Sequence, residues 1–153
     1  MRKAFFVVAA LMFLDTIVQL YLAAFGAFAE SLLGEDSFAY HFINGYFILR
    51  GLSLLAILFA ALARAGKNTV WLTVGIFALT WVQMLVFVVG GMLTGAGPEN
   101  PTVPGAWAVA THAVTGLLII FCCYWLMLRA RRLDKTGSVA RPADAAQQPA
   151  ATV

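Results

Sequence analysis

Charge is scarce in this chain. Only 11% of its residues are Asp, Glu, Lys or Arg, while 62% are hydrophobic; a soluble domain averages about 25% charged residues. A water-solvated surface cannot be built from that composition, which excludes soluble enzymes and soluble binding modules. The net charge of +3 gives no basic face for nucleic acid, because the basic residues gather at the ends of apolar runs. Cys122 and Cys123 are adjacent in an apolar run, where a disulfide between them would be badly strained. They read as small buried residues and report no redox compartment. No glycine-rich phosphate loop opens a helix, and no Ser-His-Asp order that geometry could support is present. No enzyme class is singled out, and whether the chain is an enzyme on its own stays open. Histidine occurs only twice, and without nearby Cys the pair makes a poor zinc site that would need Glu35 or Asp36.

What is present is apolar length. Four stretches, at about 4–28, 38–63, 69–93 and 106–128, each suffice for a membrane span of about 20 residues. The first follows Arg2 and Lys3 like a signal peptide, but it exceeds a typical h-region and carries Asp15 and Gln19, so it reads as retained. Arg2 and Lys3, Arg64 and Lys67, and Arg129, Arg131, Arg132 and Lys135 all fall on one side. The positive-inside rule puts both termini in the cytoplasm of a bacterial inner-membrane protein. Short connections favour an up-down-up-down four-helix bundle. The outer loop Thr94–Gly105, rich in Gly and Pro, reads as ordered turns, and the loop Arg64–Asn68 as a tight hairpin. One domain covers 1–132, and the Ala-, Pro- and Gln-rich tail 133–153 reads as a disordered cytoplasmic segment.

The two histidines sit in near copies of one pattern. His41 precedes Asn44 and Gly45 as His112 precedes Thr115 and Gly116. Each follows a span in which a glutamine stands seven residues before a glycine, Gln19 with Gly26 and Gln83 with Gly90. An internal two-helix repeat follows, with a pseudo-two-fold axis along the membrane normal. In a ring of four helices, the second and fourth are diagonal, so His41 and His112 face each other across the centre.

Two facing neutral imidazoles in an apolar bundle are what a six-coordinate haem iron takes as axial ligands. Gly45 and Gly116 lie one turn beneath the histidines, where they would leave room for a flat macrocycle. Asn44 or Gln19, and Thr115 or Gln83, could take the other ring N–H of each histidine. The outer loops hold no Lys or Arg for haem propionates, which would reach water or pair with Tyr40 or Trp107. The bland alternative is that these polar groups are interhelical glue, worth about 0.6 kcal/mol each on average. Asp15 and Arg50 fall at similar depth on adjacent helices, and each would be costly alone in hydrocarbon. They are expected to form a structural ion pair.

Over about residues 10–128, carried by Gln19, Gly26, His41, Gly45, Gln83 and His112, the chain resembles an uncharacterised family of small four-span bacterial membrane proteins. More distantly it is similar to one four-helix half of haem A synthase, whose halves carry paired histidines at the starts of helices two and four. That resemblance implies that His41 and His112 form such a ligand pair. The chain has one half rather than two, and lacks both the Glu-His-x-x-His-Arg signature and the outer-loop cysteine pair. The expectation is a small b-type cytochrome, binding haem b and exchanging electrons with a partner or quinone, or handling haem. The rival is a cofactor-free accessory or assembly subunit. The lipid bilayer is a partner in either case, nucleic acid in neither, and homo- or hetero-oligomers are both open.

Overall fold

The computed structural model describes residues 1–97 and 99–138. Among them are four helices long and apolar enough to cross a membrane: α1 (Arg2–Leu33), α2 (Asp36–Leu62), α3 (Lys67–Thr94) and α4 (Val103–Thr136). α1 and α4 run five and eight residues past the expected ends of their spans, because backbone hydrogen bonding continues beyond the apolar stretch, while α2 and α3 keep within two residues of theirs. No strand occurs among the described residues; Gly97 and Asn100 form one isolated bridge. Large apolar side chains face outward, as at Phe28, Leu32 and Met92, each more than 80% exposed. That surface suits lipid and not water.

Each helix packs on two others. α1 meets α2 and α4, and α3 meets the same two, while the Cα atoms of neither diagonal pair come within 8 Å among the described residues. Buried positions follow a seam with alternating steps of four and three: Phe5, Ala9, Met12 and Thr16 on α1; Thr69, Thr73, Ile76 and Thr80 on α3; Ser53, Ala56 and Ala60 on α2; Cys123, Leu126 and Ala130 on α4. That spacing is the knobs-into-holes stripe of nearly parallel helix axes. Small residues dominate it, so backbones approach closely in this half of the bundle. Thr16, Thr73 and Thr80 turn their hydroxyls back onto carbonyls three residues earlier, which removes the cost of burying them.

The connections are short. α2 ends at Ala63, and the chain turns through Arg64 (φ 53°) and Gly66 (φ 82°), both left-handed. Gly95 (φ 66°) ends α3, and Thr102 caps α4 by accepting from the Gly105 N–H at 3.1 Å, with proline in the first turn. Such a start is pre-organised for helix. The turns expected between Thr94 and Gly105 are thus confined to residues 95–102, where Pro98 lies outside the described residues. The expected start of the tail at 133 is corrected. α4 continues to Thr136 because Leu133, 3% exposed, extends the buried seam. Residues 139–153 lie outside the described residues.

α2 is not uniform. A 3-10 turn (Gly34–Phe38) leads into it, and residues Asn44–Leu49 form a π-helical turn. A π-turn is one residue inserted into an α-helix. The partner helix shows where it was inserted: four residues carry the seam from Gly45 to Leu49, but three carry it from Gly116 to Ile119.

Candidate functional site

The seam that is closed at the Phe5–Ala60 end opens at the other end into a cavity of about 760 Å³. Its lining is overwhelmingly apolar. Polar groups enter at few points: Gln19, His41, Gln83 and His112 at one level, with Arg50, Tyr46 and Thr80 deeper. The rings of His41 and His112 face each other with centroids 6.0 Å apart and planes at 66°. A phenylalanine edges each ring, Phe38 at 6.3 Å for His41 and Phe87 at 4.9 Å for His112. All eight expected site residues gather here. Asn44 and Thr115 stand behind the glutamines rather than on the cavity wall.

The glutamines and histidines form two clamps. In the first, Gln19 lies across α2. Its amide nitrogen donates to the His41 carbonyl at 2.9 Å and meets His41 Nε2 at 3.2 Å. Asn44 Nδ2 donates to Gln19 Oε1 at 2.9 Å, and His41 Nδ1 lies 3.1 Å from the Gln19 carbonyl. That carbonyl can only accept, so Nδ1 carries the ring proton and Nε2 keeps its lone pair.

In the second clamp, Gln83 lies against His112, Thr115 and Gly116. With its amide nitrogen toward His112, it donates to Nδ1 at 2.8 Å, to the His112 carbonyl at 3.1 Å and to Thr115 Oγ1 at 2.7 Å, while Oε1 accepts from Gly116 N–H at 3.0 Å. In the reverse orientation Thr115 donates to Oε1 and His112 Nδ1 becomes a donor. The Gln83 amide orientation therefore sets which nitrogen of His112 carries its proton.

A Cβ on Gly45 would stand 2.6 Å from Gln19 Nε2, and one on Gly116 would stand 3.3 Å from the end of the Gln83 amide. Each glycine gives a glutamine amide room against its helix, and both glycines also line the cavity. Gly26 likewise admits the Phe38 ring, 2.6 Å from where its Cβ would be, and Gly90 admits Ala108 at 3.2 Å.

The expected Asp15–Arg50 pair does not form. Arg50 turns to α3, donating from Nη2 to the Thr80 carbonyl at 3.1 Å, with its guanidinium against Tyr46 (4.3 Å) and Trp81 (4.1 Å). Asp15 meets the Asn44 side chain, and its Oδ2 is buried without a partner. Depth alone put the two charges together, and depth does not fix the face from which a side chain leaves its helix; Arg50 leaves toward α3. Tyr46 and Trp81 were not anticipated either. Trp81 sits one residue after Thr80 of the buried seam, the available signal that it flanks the bundle interior.

Two imidazoles with an apolar cavity between them suit a macrocyclic metal complex, which brings its own equatorial donors. They do not suit a bare ion, since no cluster of three His, Cys, Asp or Glu side chains exists among the described residues. His41 and His112, with ring centroids 6.0 Å apart, would be the residues to hold such a complex. Ligation by His41 would displace the 3.2 Å contact with the Gln19 amide.

No curated protein and no solved structure matches the chain, and the likeness to haem A synthase is without support. Over residues 19–89, from the first clamp glutamine to the end of α3, the chain matches the Family of unknown function (DUF6220).

Proposed function

We propose that this protein is a bacterial inner-membrane bundle of up-down-up-down topology, with both termini cytoplasmic and α1–α2 and α3–α4 as copies of one helix hairpin. Its central cavity binds haem b with His41 and His112 as axial ligands. The observation that carries this reading is the facing of the two imidazoles at 6.0 Å across an apolar cavity of about 760 Å³. The repeat is supported by buried positions that recur in step on α1 and α3, and by matching glutamine clamps. The basic ends of the spans support the orientation.

In this reading the Gln19 backbone carbonyl orients His41 through Nδ1–H, and Nε2 would take the metal on giving up its 3.2 Å contact with the Gln19 amide. Gln83 orients His112 when its Oε1 accepts from Nδ1–H. Phe38 and Phe87 pack beside the rings, and the apolar wall excludes water. Haem held there supplies one-electron transfer, to or from a protein partner or quinone.

The test is an oxidised-minus-reduced absorption spectrum of the detergent-purified protein, beside His41→Ala and His112→Ala. The expected result is a low-spin spectrum lost in both variants. A colourless, folded wild type from haem-supplied cells would remove the cytochrome reading. A second reading, a cofactor-free accessory subunit, draws on the fact that both ring nitrogens of His41 already have contacts with Gln19. Under it the histidines are packing groups, and Gln19→Leu with Gln83→Leu loosens an empty bundle without any spectral shift.

A further inference from the structure

Arg50 is the one cation lining the cavity among the described residues, and it is 7% exposed. A permanent charge at that depth costs several kcal/mol unless something pairs it. No carboxylate among the described residues does so. Thr80 accepts one N–H, and Nε is buried with no partner. Tyr46 and Trp81 each bring a ring against the guanidinium, at 4.3 and 4.1 Å. Ring contacts of this kind give its in-plane N–H groups no acceptor, and Nε has none. A guanidinium edge in an apolar site is matched by a planar anion that accepts two parallel hydrogen bonds, and the ordinary planar anion on an apolar body is a carboxylate.

Position agrees. Arg50 is nine residues beyond His41 on the same helix, about 13 Å deeper in the cavity. Its counterpart on α4, past the one-residue offset, is Ile120, which also lines the cavity. Only one end of one hairpin therefore carries the charge, and a ligand there has a single anionic end.

We propose that the deep end of the cavity is a carboxylate site, in which the Nε and Nη edge of Arg50 grips the acid group of an apolar ligand filling the space. Two sources share that chemistry: a haem propionate, if the bis-histidine reading holds, and a free long-chain fatty acid, which needs no histidine ligation. A propionate held at Arg50 would also answer the lack of Lys and Arg in the outer loops.

The test compares each acid with its own ester on the full chain in non-ionic detergent. Haemin and haemin dimethyl ester are followed by absorbance, and a fluorescent polyene fatty acid and its methyl ester by emission. The proteins are wild type, Arg50→Gln and Arg50→Lys, with a thermal melt for each. The wild type should bind one acid about tenfold to hundredfold more tightly than its ester, the range for one charge-assisted hydrogen-bond pair. Arg50→Gln should abolish that preference and Arg50→Lys keep part of it.

Haemin and its dimethyl ester binding equally, with a histidine-dependent spectrum and no fatty-acid preference, would overturn the carboxylate site and leave the haem reading standing. Fatty acid preferred over its ester, with no haem bound, would uphold the carboxylate site and remove the haem reading. Binding of no acid, or an acid preference unchanged in a folded Arg50→Gln, would overturn it. The acid–ester comparison on wild type decides even if a variant does not fold.

Discussion

The two hairpins solve one packing problem with different margins. In the first, the Gln19 amide is pressed onto Gly45 so closely that a Cβ would stand 2.6 Å from it, and the helix beneath is a π-turn. In the second, Gln83 keeps 3.3 Å from the same point over Gly116, on a helix with no such turn. The first also holds two charged side chains within its helices, Asp15 and Arg50, where the second has Leu79 and Ile120. The clamp is shared, whereas the charge and the inserted residue are not. The π-turn absorbs the inserted residue, so Arg50 stands where Ile120 stands on α4, and both line the cavity. The shared parts hold the bundle together, and the unshared parts give the cavity its polarity.

The largest expected effect tests the inserted residue. Deleting Phe47, which is 59% exposed, removes the residue that α4 lacks. It should convert the π-turn to regular helix while Gly45 and Leu49 stay on the seam. Deleting Leu118 from α4 leaves two residues to carry the seam from Gly116 to Ile119 and turns its remainder out of register. The first deletion should cost about 1–2 kcal/mol and the second more than about 4 kcal/mol, enough to abolish the fold. Unfolding in a denaturing detergent series, read by circular dichroism, checks both. Equal losses would mean that the π-turn is not an insertion relative to α4.

Next come the clamps. Gln19→Leu removes two contacts with His41 and one with Asn44, so a loss of about 2 kcal/mol is expected from interhelical bonds of about 0.6 kcal/mol each. Gln83→Leu should cost about 1 kcal/mol, since Thr115 has a second acceptor in the His112 carbonyl at 3.0 Å. The same unfolding series measures both, and the reverse ranking would break the asymmetry argued from the glycine distances.

Much of this architecture was legible beforehand. Hydropathy located four spans, and the recurrence of Gln, Gly and His placed the imidazoles opposite each other, because lipid-facing and seam positions leave a direct mark on composition. The π-turn left none. Its extra residue lies among Tyr46, Phe47 and Ile48, apolar like their neighbours, so the pattern reads as an unbroken helix. Without it the face on which Arg50 emerges is miscounted, and the ion pair with Asp15 follows wrongly from depth alone. The glycines were legible as cavity-wall positions but not as seats for the glutamines. A missing side chain signals a close approach but not what approaches, and the glutamine that fills it lies on another helix.

The smallest effect is the sharpest test of the clamp. Replacing glycine by alanine inside a helix is favoured by about 1 kcal/mol through backbone entropy, so the sign depends on what the new methyl meets. At Gly45 it meets the Gln19 amide, which must leave its contacts with His41 and Asn44 to make room. That loss exceeds the gain, and Gly45→Ala should be destabilised by about 1 kcal/mol. At Gly116 the neighbour has only to give by a few tenths of an ångström, so Gly116→Ala should be neutral or stabilised by about 0.5 kcal/mol. In the double variant Gln19→Leu, Gly45→Ala, the alanine penalty should shrink because the amide it displaced is already gone. A full, additive penalty at Gly45 would mean that the methyl strikes something other than Gln19, and the clamp would lose its claim to explain why glycine stands there.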